Sequence, residues 1–177
     1  MAVFYKNLLQ KRTERLQSEN QSSRKTVSYA AAQTIGVLFS QSTREKYQAI
    51  RELVIQFKND SKQVEVLCYL EKGGENYDFR YNYITSKDVG LWGKMQSSSA
   101  VRFAQQTFDY LFYLDLKENM YLENVLAMSK ARCRIGFYKK NKDDLLDLML
   151  KVNGRPSMGE AIDQILFYTK KLGRDGK

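Results

Sequence analysis

The stretch Phe108–Phe137 limits what this chain can fold into more than any other. FDYLFYLDL (Phe108–Leu116) is an apolar run, ENMYLENVLAMSKA (Glu118–Ala131) carries a helical pattern, and RCRIGF (Arg132–Phe137) is a second short apolar run. A strand, a helix and a strand in succession predict a parallel β-α-β crossover. The order recurs upstream. Thr34–Phe39 is a short apolar run. Ser42 and Glu45 form a capping box ahead of Tyr47, Ile50, Leu53, Val54 and Phe57 at helical spacing. Val64–Leu70 is nearly continuous in apolar character, as strands covered on both faces are, and Gly73-Gly74 ends it. Right-handed crossovers make the strands of each unit parallel neighbours.

The remaining segments extend this pattern. Asp78–Ser86 alternates, with Tyr77, Phe79, Tyr81 and Tyr83 on one side, and predicts a short edge strand or hairpin arm. Val89–Met95 is a loop around Trp92, flanked by Gly90 and Gly93, whose ring reads either as a clamp for a ring or sugar or, as expected here, as folding onto the domain. A short helix near Ser98–Gln106 follows. Leu145–Val152 predicts a last strand, and the capping box of Ser157 and Glu160 opens a closing helix that Gly173 can terminate. Residues 4–20 predict an appended, partly exposed helix, because Lys11, Arg12 and Arg15 interrupt the apolar face begun by Phe4, Leu8 and Leu9. Together these elements predict an α/β fold: one doubly wound, mostly parallel sheet of five or six strands with helices on both faces, Rossmann-like, plus an N-terminal helix. The expected organisation is a basic helix and link over 1–25, the α/β domain over 26–173, and a basic tail over 174–177.

FDYLFYLDL, MSKA and RCRIGF resemble, in order and spacing, a segment in the N-terminal Rossmann-like domain of heptosyltransferase-type glycosyltransferases. The resemblance implies an inherited scaffold. It does not extend to the glycine–aspartate loop that carries the proposed base of that family, where this chain has SQSTREK (Ser40–Lys46). The glycine that often follows their aspartate-bearing strand is replaced by Lys117-Glu118-Asn119. The whole chain is also similar to a family of short bacterial proteins of unknown function, known mainly from Bacteroidota. It shares their phenylalanine–aspartate strand, SKA-x-x-R-x-G ending and final strand–helix pair.

Composition excludes several chemistries. The chain has no histidine, which rules out histidine-based triads, dyads and metal sites. Asp143, Asp144 and Asp147 lack calcium-loop spacing, so neither a metal nor a cofactor is expected. Cys68 and Cys133 fall in predicted buried strands and read as small hydrophobes of a reduced, cytoplasmic protein, with peripheral attachment to the inner membrane as the variant. No apolar run approaches the roughly 20 residues of a membrane-spanning helix, and the N-terminus lacks the order of a secretory signal.

The formal net charge of +9 is concentrated at the ends. Lys6, Lys11, Arg12, Arg15, Arg24 and Lys25 face only Glu14 and Glu19 in residues 1–25, and Lys170, Lys171, Arg174 and Lys177 face only Asp175 at the other end. The six N-terminal cations are therefore candidate contacts to RNA or to an anionic membrane. In the membrane version, Val3, Phe4, Leu8 and Leu9 insert below them. The rival reading is a solvated helix.

A second candidate site follows from topology. Ligands of such sheets bind beyond the carboxyl ends of the strands, at the switch in strand order. If the first and fourth strands flank that switch, Ser40, Gln41, Ser42, Asp115, Lys117 and Asn119 line the crevice. The rival reading has Ser42 and Asn119 capping helices and Asp115 ordering a turn. The tyrosines at Tyr77–Tyr83 read either as a stacking platform or as one packed strand face, and Arg132 and Arg134 as reaching solvent or pairing with Asp109. The function expected is a non-catalytic module that binds a protein, RNA or anionic membrane through its basic termini. The alternative is a nucleotide or sugar binder, or a glycosyltransferase-related enzyme, using the crevice.

Overall fold

A computed structural model describes residues 2–20, 26–71, 81–140, 142, 144–154 and 156–172 of the 177-residue chain. Arg24, Lys25, Gly73-Gly74, Tyr77–Arg80, Asp143, Gly173 and the 174–177 tail lie outside the described residues. The elements run α1 (Ala2–Glu19), β1 (Thr34–Gln41), α2 (Arg44–Asn59), β2 (Gln63–Leu70), β3 (Asn82–Ile84), α3 (Ser98–Gln105), β4 (Tyr110–Tyr113), α4 (Met120–Met128), β5 (Arg134–Phe137), β6 (Leu148–Leu150) and α5 (Met158–Lys171). The six strands form one sheet in the order β3-β2-β1-β4-β5-β6, and every neighbouring pair is parallel. This is the expected doubly wound α/β sheet. Strand order reverses between β1 and β4, so the topological switch lies between them.

Alternation along the strands divides the core in two. Ile35, Val37 and Phe39 of β1, Val66 and Cys68 of β2, and Tyr110 and Phe112 of β4 point to the face covered by α2 and α5. Leu38, Leu67, Leu111 and Tyr113 point to the face covered by α1, α3 and α4. Residues of both parities are apolar, which is why the strands read as continuous runs. Gly36 allows close packing at the seam: a Cβ there would come within 2.8 Å of Phe108 and Leu111 side-chain carbons.

Two aspartates close the β1–β4 seam at its ends. Asp109, just before β4, accepts from the Gln33 and Thr34 N–H groups through Oδ2 (2.8 and 3.1 Å) and pairs with Arg132 through Oδ1 (3.1 Å). Burial pushes its carboxyl up, but the bonds from Gln33, Thr34 and Arg132 outweigh that and hold it below the ordinary aspartate value. Asp115, just past β4, does the same for Ser40.

Several local expectations differ from the structure. Helix α1 is more than an appendage: Leu9 is fully buried with the core on the α4 side, and Thr13 accepts from Asn124 of α4 at 2.9 Å. Leu9 is therefore not available to a membrane. The α2 N-cap is Thr43, not Ser42; its side chain accepts from the Lys46 N–H at 3.2 Å. Strand β3 is a parallel edge strand rather than a hairpin arm; Tyr81 beside it packs on Phe39 and Tyr47, while Tyr83 is 43% exposed. Arg134 is buried rather than solvated, donating to the Ser129 carbonyl at 2.6 Å. Its backbone N–H donates to Asp147, which lies just before β6. Trp92 is 77% exposed and does not fold onto the domain.

Candidate functional site

The end of β1 and the turn after β4 meet where several buried polar and charged side chains collect. Ser40, Gln41, Lys46, Asp115, Glu123 and Lys139 are all buried, at exposures of 8% or less. Leu114 extends the ladder past β4 by donating to the Leu38 carbonyl (2.8 Å), which sets Asp115 beside Ser40. Asp115 Oδ2 then accepts from the Ser40 N–H at 2.9 Å, and Oδ1 accepts from the Ser40 hydroxyl at 2.6 Å. Lys46, in the first turn of α2, reaches back over β1, donating to Asp115 Oδ1 and to Ser40 Oγ at 3.2 Å. Burial pushes the Asp115 carboxyl up, while Lys46, the Ser40 hydroxyl and Lys139 favour its charge.

A second charged group adjoins the first. Lys139, past β5, donates to the Lys117 carbonyl at 2.9 Å, lies 3.9 Å from Glu123 Oε1 and sits 4.0 Å from the centre of the Tyr113 ring. Lys142 donates to Glu123 Oε2 at 2.9 Å. Burial lowers the Lys139 ammonium to about 8 despite the carboxylates of Glu123, Asp115 and Glu118. The Tyr113 hydroxyl, raised well above its ordinary value by burial and by Asp115 and Glu123, accepts from the Asn119 N–H at 3.2 Å.

The structure thus brings together only part of the crevice set. Ser40 and Asp115 bond directly, and Gln41 is buried at the end of β1. Asn119 caps α4, its side chain accepting from the Tyr121 and Leu122 N–H groups at 3.1 and 3.2 Å. Ser42 and Lys117 are exposed at the rim. The helix N-termini that would hold an anion are occupied by Thr43 and Asn119.

Lys46, Glu123 and Lys139 were not legible as members of this cluster. Lys46 sits one turn into an amphipathic helix and Lys139 opens a lysine-rich loop, where lysine is normally solvated. The usable signal was the first turn of α2, where Lys46 stands next to Tyr47 at the start of the buried face.

Of the N-terminal cations, Lys6, Lys11, Arg12 and Arg15 are exposed on α1, with Arg15 paired to Glu19 at 2.7 Å. A cavity of about 670 Å³ separates α1 from the start of α4 and the loop after β5; Gln10, Glu14, Glu118, Glu123 and Lys142 line it. Among the described residues, no group of three or more His, Cys, Asp or Glu is placed to hold a metal ion, and no helix is long and apolar enough to cross a membrane.

No curated protein and no solved structure matches the chain. The model of a family described as a family of unknown function (DUF6913) matches residues 6–172.

Proposed function

The chain belongs to this DUF6913 family of unknown function, and we propose that it is a non-catalytic interaction module that meets an anionic partner on the cationic face of α1. The observation carrying the reading is how α1 is held. Leu9 and Thr13 lock one side of the helix onto the core, while Lys6, Lys11 and Arg12 stand outward on the same helix. Rigid presentation removes the ordering cost that a free basic tail carries on binding. The crevice supports the same reading, because Asp115, Ser40 and Lys46 already satisfy one another and both helix N-termini are capped.

The test uses charge reversal rather than deletion, since removing α1 would strip Leu9 from the core. Wild-type chain and Lys6→Glu/Lys11→Glu/Arg12→Glu are compared for binding to single-stranded RNA and to phosphatidylserine vesicles over a salt series. The reading expects binding that weakens steeply with salt and is lost in the variant. Binding indifferent to both would overturn it.

A second reading is favoured by Lys139, a buried amine lowered to about 8 beside the cavity that Glu123 and Lys142 line. Beside it, the carboxylates of Glu14, Glu118, Glu123 and Asp144 suit a ligand held by its hydroxyls, the sugar of a nucleotide or nucleotide-sugar. A nucleotide or nucleotide-sugar that raises the melting temperature of wild type but not of Lys139→Met would establish it over the first.

A further inference from the structure

The loop Val89–Met95 is rigid at its base and apolar at its tip. Val89 and Met95 form an antiparallel bridge and are 6% and 4% exposed, inserted in the core beneath α1 and α3. Gly90 donates to the Lys94 carbonyl and Gly93 to the Gly90 carbonyl, both at 2.9 Å, and Gln96 donates to the Asp88 carbonyl at 2.7 Å. Gly93 has φ 68°, and a Cβ there would lie 2.9 Å from the Leu9 Cα, so the loop presses directly on the α1 backbone. Leu91 and Trp92 at the tip are nevertheless 83% and 77% exposed.

Cations flank the loop in sequence and line a cavity at its base. Lys94 follows Gly93, and Lys87 precedes the loop on an exposed 3₁₀ turn. Arg12 and Lys130 line a cavity of about 340 Å³ together with Lys94 and Met95. The neighbouring carboxylates are engaged: Asp88 accepts from the Thr85 N–H and hydroxyl, and Glu19 pairs with Arg15.

We infer that Leu91 and Trp92 insert into the interface of an anionic lipid bilayer, with Arg12, Lys87 and Lys94 held against the head groups. The inference rests on the cationic-face reading above and names its partner as lipid. Two convex side chains cannot supply the roughly 1,000 Å² that a stable protein interface buries. A bilayer needs no such area, because shallow apolar insertion and attraction to anionic lipid add together. Tryptophan favours the head-group level and leucine the acyl boundary. A nucleic acid could stack on Trp92, but it offers nothing to Leu91, the more exposed of the pair.

Trp92 is the sole tryptophan of the chain, so its emission reports this tip alone. The full chain is titrated with phosphatidylcholine vesicles with and without phosphatidylserine, at low and high salt, alongside vesicle flotation of Leu91→Ser and Leu91→Ser/Trp92→Ser. The expected result is a blue shift and loss of acrylamide quenching only with phosphatidylserine, reversed by salt, with Leu91→Ser weakening flotation by roughly tenfold. Both substitutions lie at exposed positions, and circular dichroism checks that each variant is folded. Vesicle binding that leaves the emission unchanged, or that ignores both variants, overturns the inference while the cationic-face reading stands. A shift with single-stranded RNA and none with vesicles overturns it in favour of base stacking, and a shift that grows with protein concentration alone overturns it in favour of self-association. Failure to bind vesicles and RNA alike removes both proposals.

Discussion

The carboxyl end of the sheet and the Val89–Met95 loop invert the usual partition of side chains in opposite ways. At the sheet end, Lys46, Asp115, Glu123 and Lys139 are charged and buried; at the loop tip, Leu91 and Trp92 are apolar and exposed. The buried charges are matched partner by partner, so the cost of taking them from water is offset inside the fold. The exposed apolar pair is left largely uncovered by the described residues. The first region therefore looks inward and the second outward, and the difference directs the functional proposal away from the crevice and toward the surface.

Breaking the buried pair tests that difference most severely. Asp115→Ala, or Lys46→Met alone, strands a charge in the core and should lower the unfolding free energy by about 3–5 kcal/mol in urea titrations. Lys46→Met/Asp115→Leu removes both charges and should recover part of that loss, the remainder being the cost of the Ser40 N–H and hydroxyl left without their acceptor. A double variant as unstable as either single one would show that the two residues do not compensate each other.

Lys139 gives the next largest effect, and it depends on pH. Its folded-state value of about 8 lies below the ordinary 10.5, so the folded chain releases this proton first. Between those values the unfolded chain holds more protons, and the stability contribution of Lys139 rises as pH rises. Wild type should therefore gain about 3 kcal/mol relative to Lys139→Met between neutral pH and the upper end of that window. Cys68 and Tyr110, both raised to about 12, also titrate on the alkaline side, but they are common to both proteins and drop out of the difference. A pH-independent difference would mean that Lys139 is not desolvated.

Smaller changes sharpen the contrast. Asn119→Ala removes the α4 cap beside the crevice and should cost about 1 kcal/mol by thermal denaturation. Leu91→Ser/Trp92→Ser should shift stability by no more than about 0.5 kcal/mol, since these side chains are largely solvated already. A larger loss from the loop pair would mean that the tip packs against the chain, and the contrast between the regions would fail.

The β-α-β rhythm of apolar runs and helical spacing determines the sheet, because local period and strand length are written directly in residue order. The same logic put Ser40 and Asp115 at adjacent strand ends, and the β1–β4 pairing places them within hydrogen-bond distance. The capping box of Ser157 and Glu160 was equally legible, being a contact between residues three apart. The α2 cap was misread by one position because Ser42 and Thr43 carry the same chemistry, and only the extended backbone of Thr43 selects between them. Tertiary structure alone decided the rest. Lys46 and Lys139 carry no sign in the sequence of the carboxylates that the strand ends bring to them, nor Arg134 of the Ser129 carbonyl beside it, and Trp92 reads as a packed ring although the loop base, pressed onto Leu9, leaves its tip outside. These are contacts between residues brought together by packing, and neither charge nor hydropathy along the chain specifies which partner will arrive.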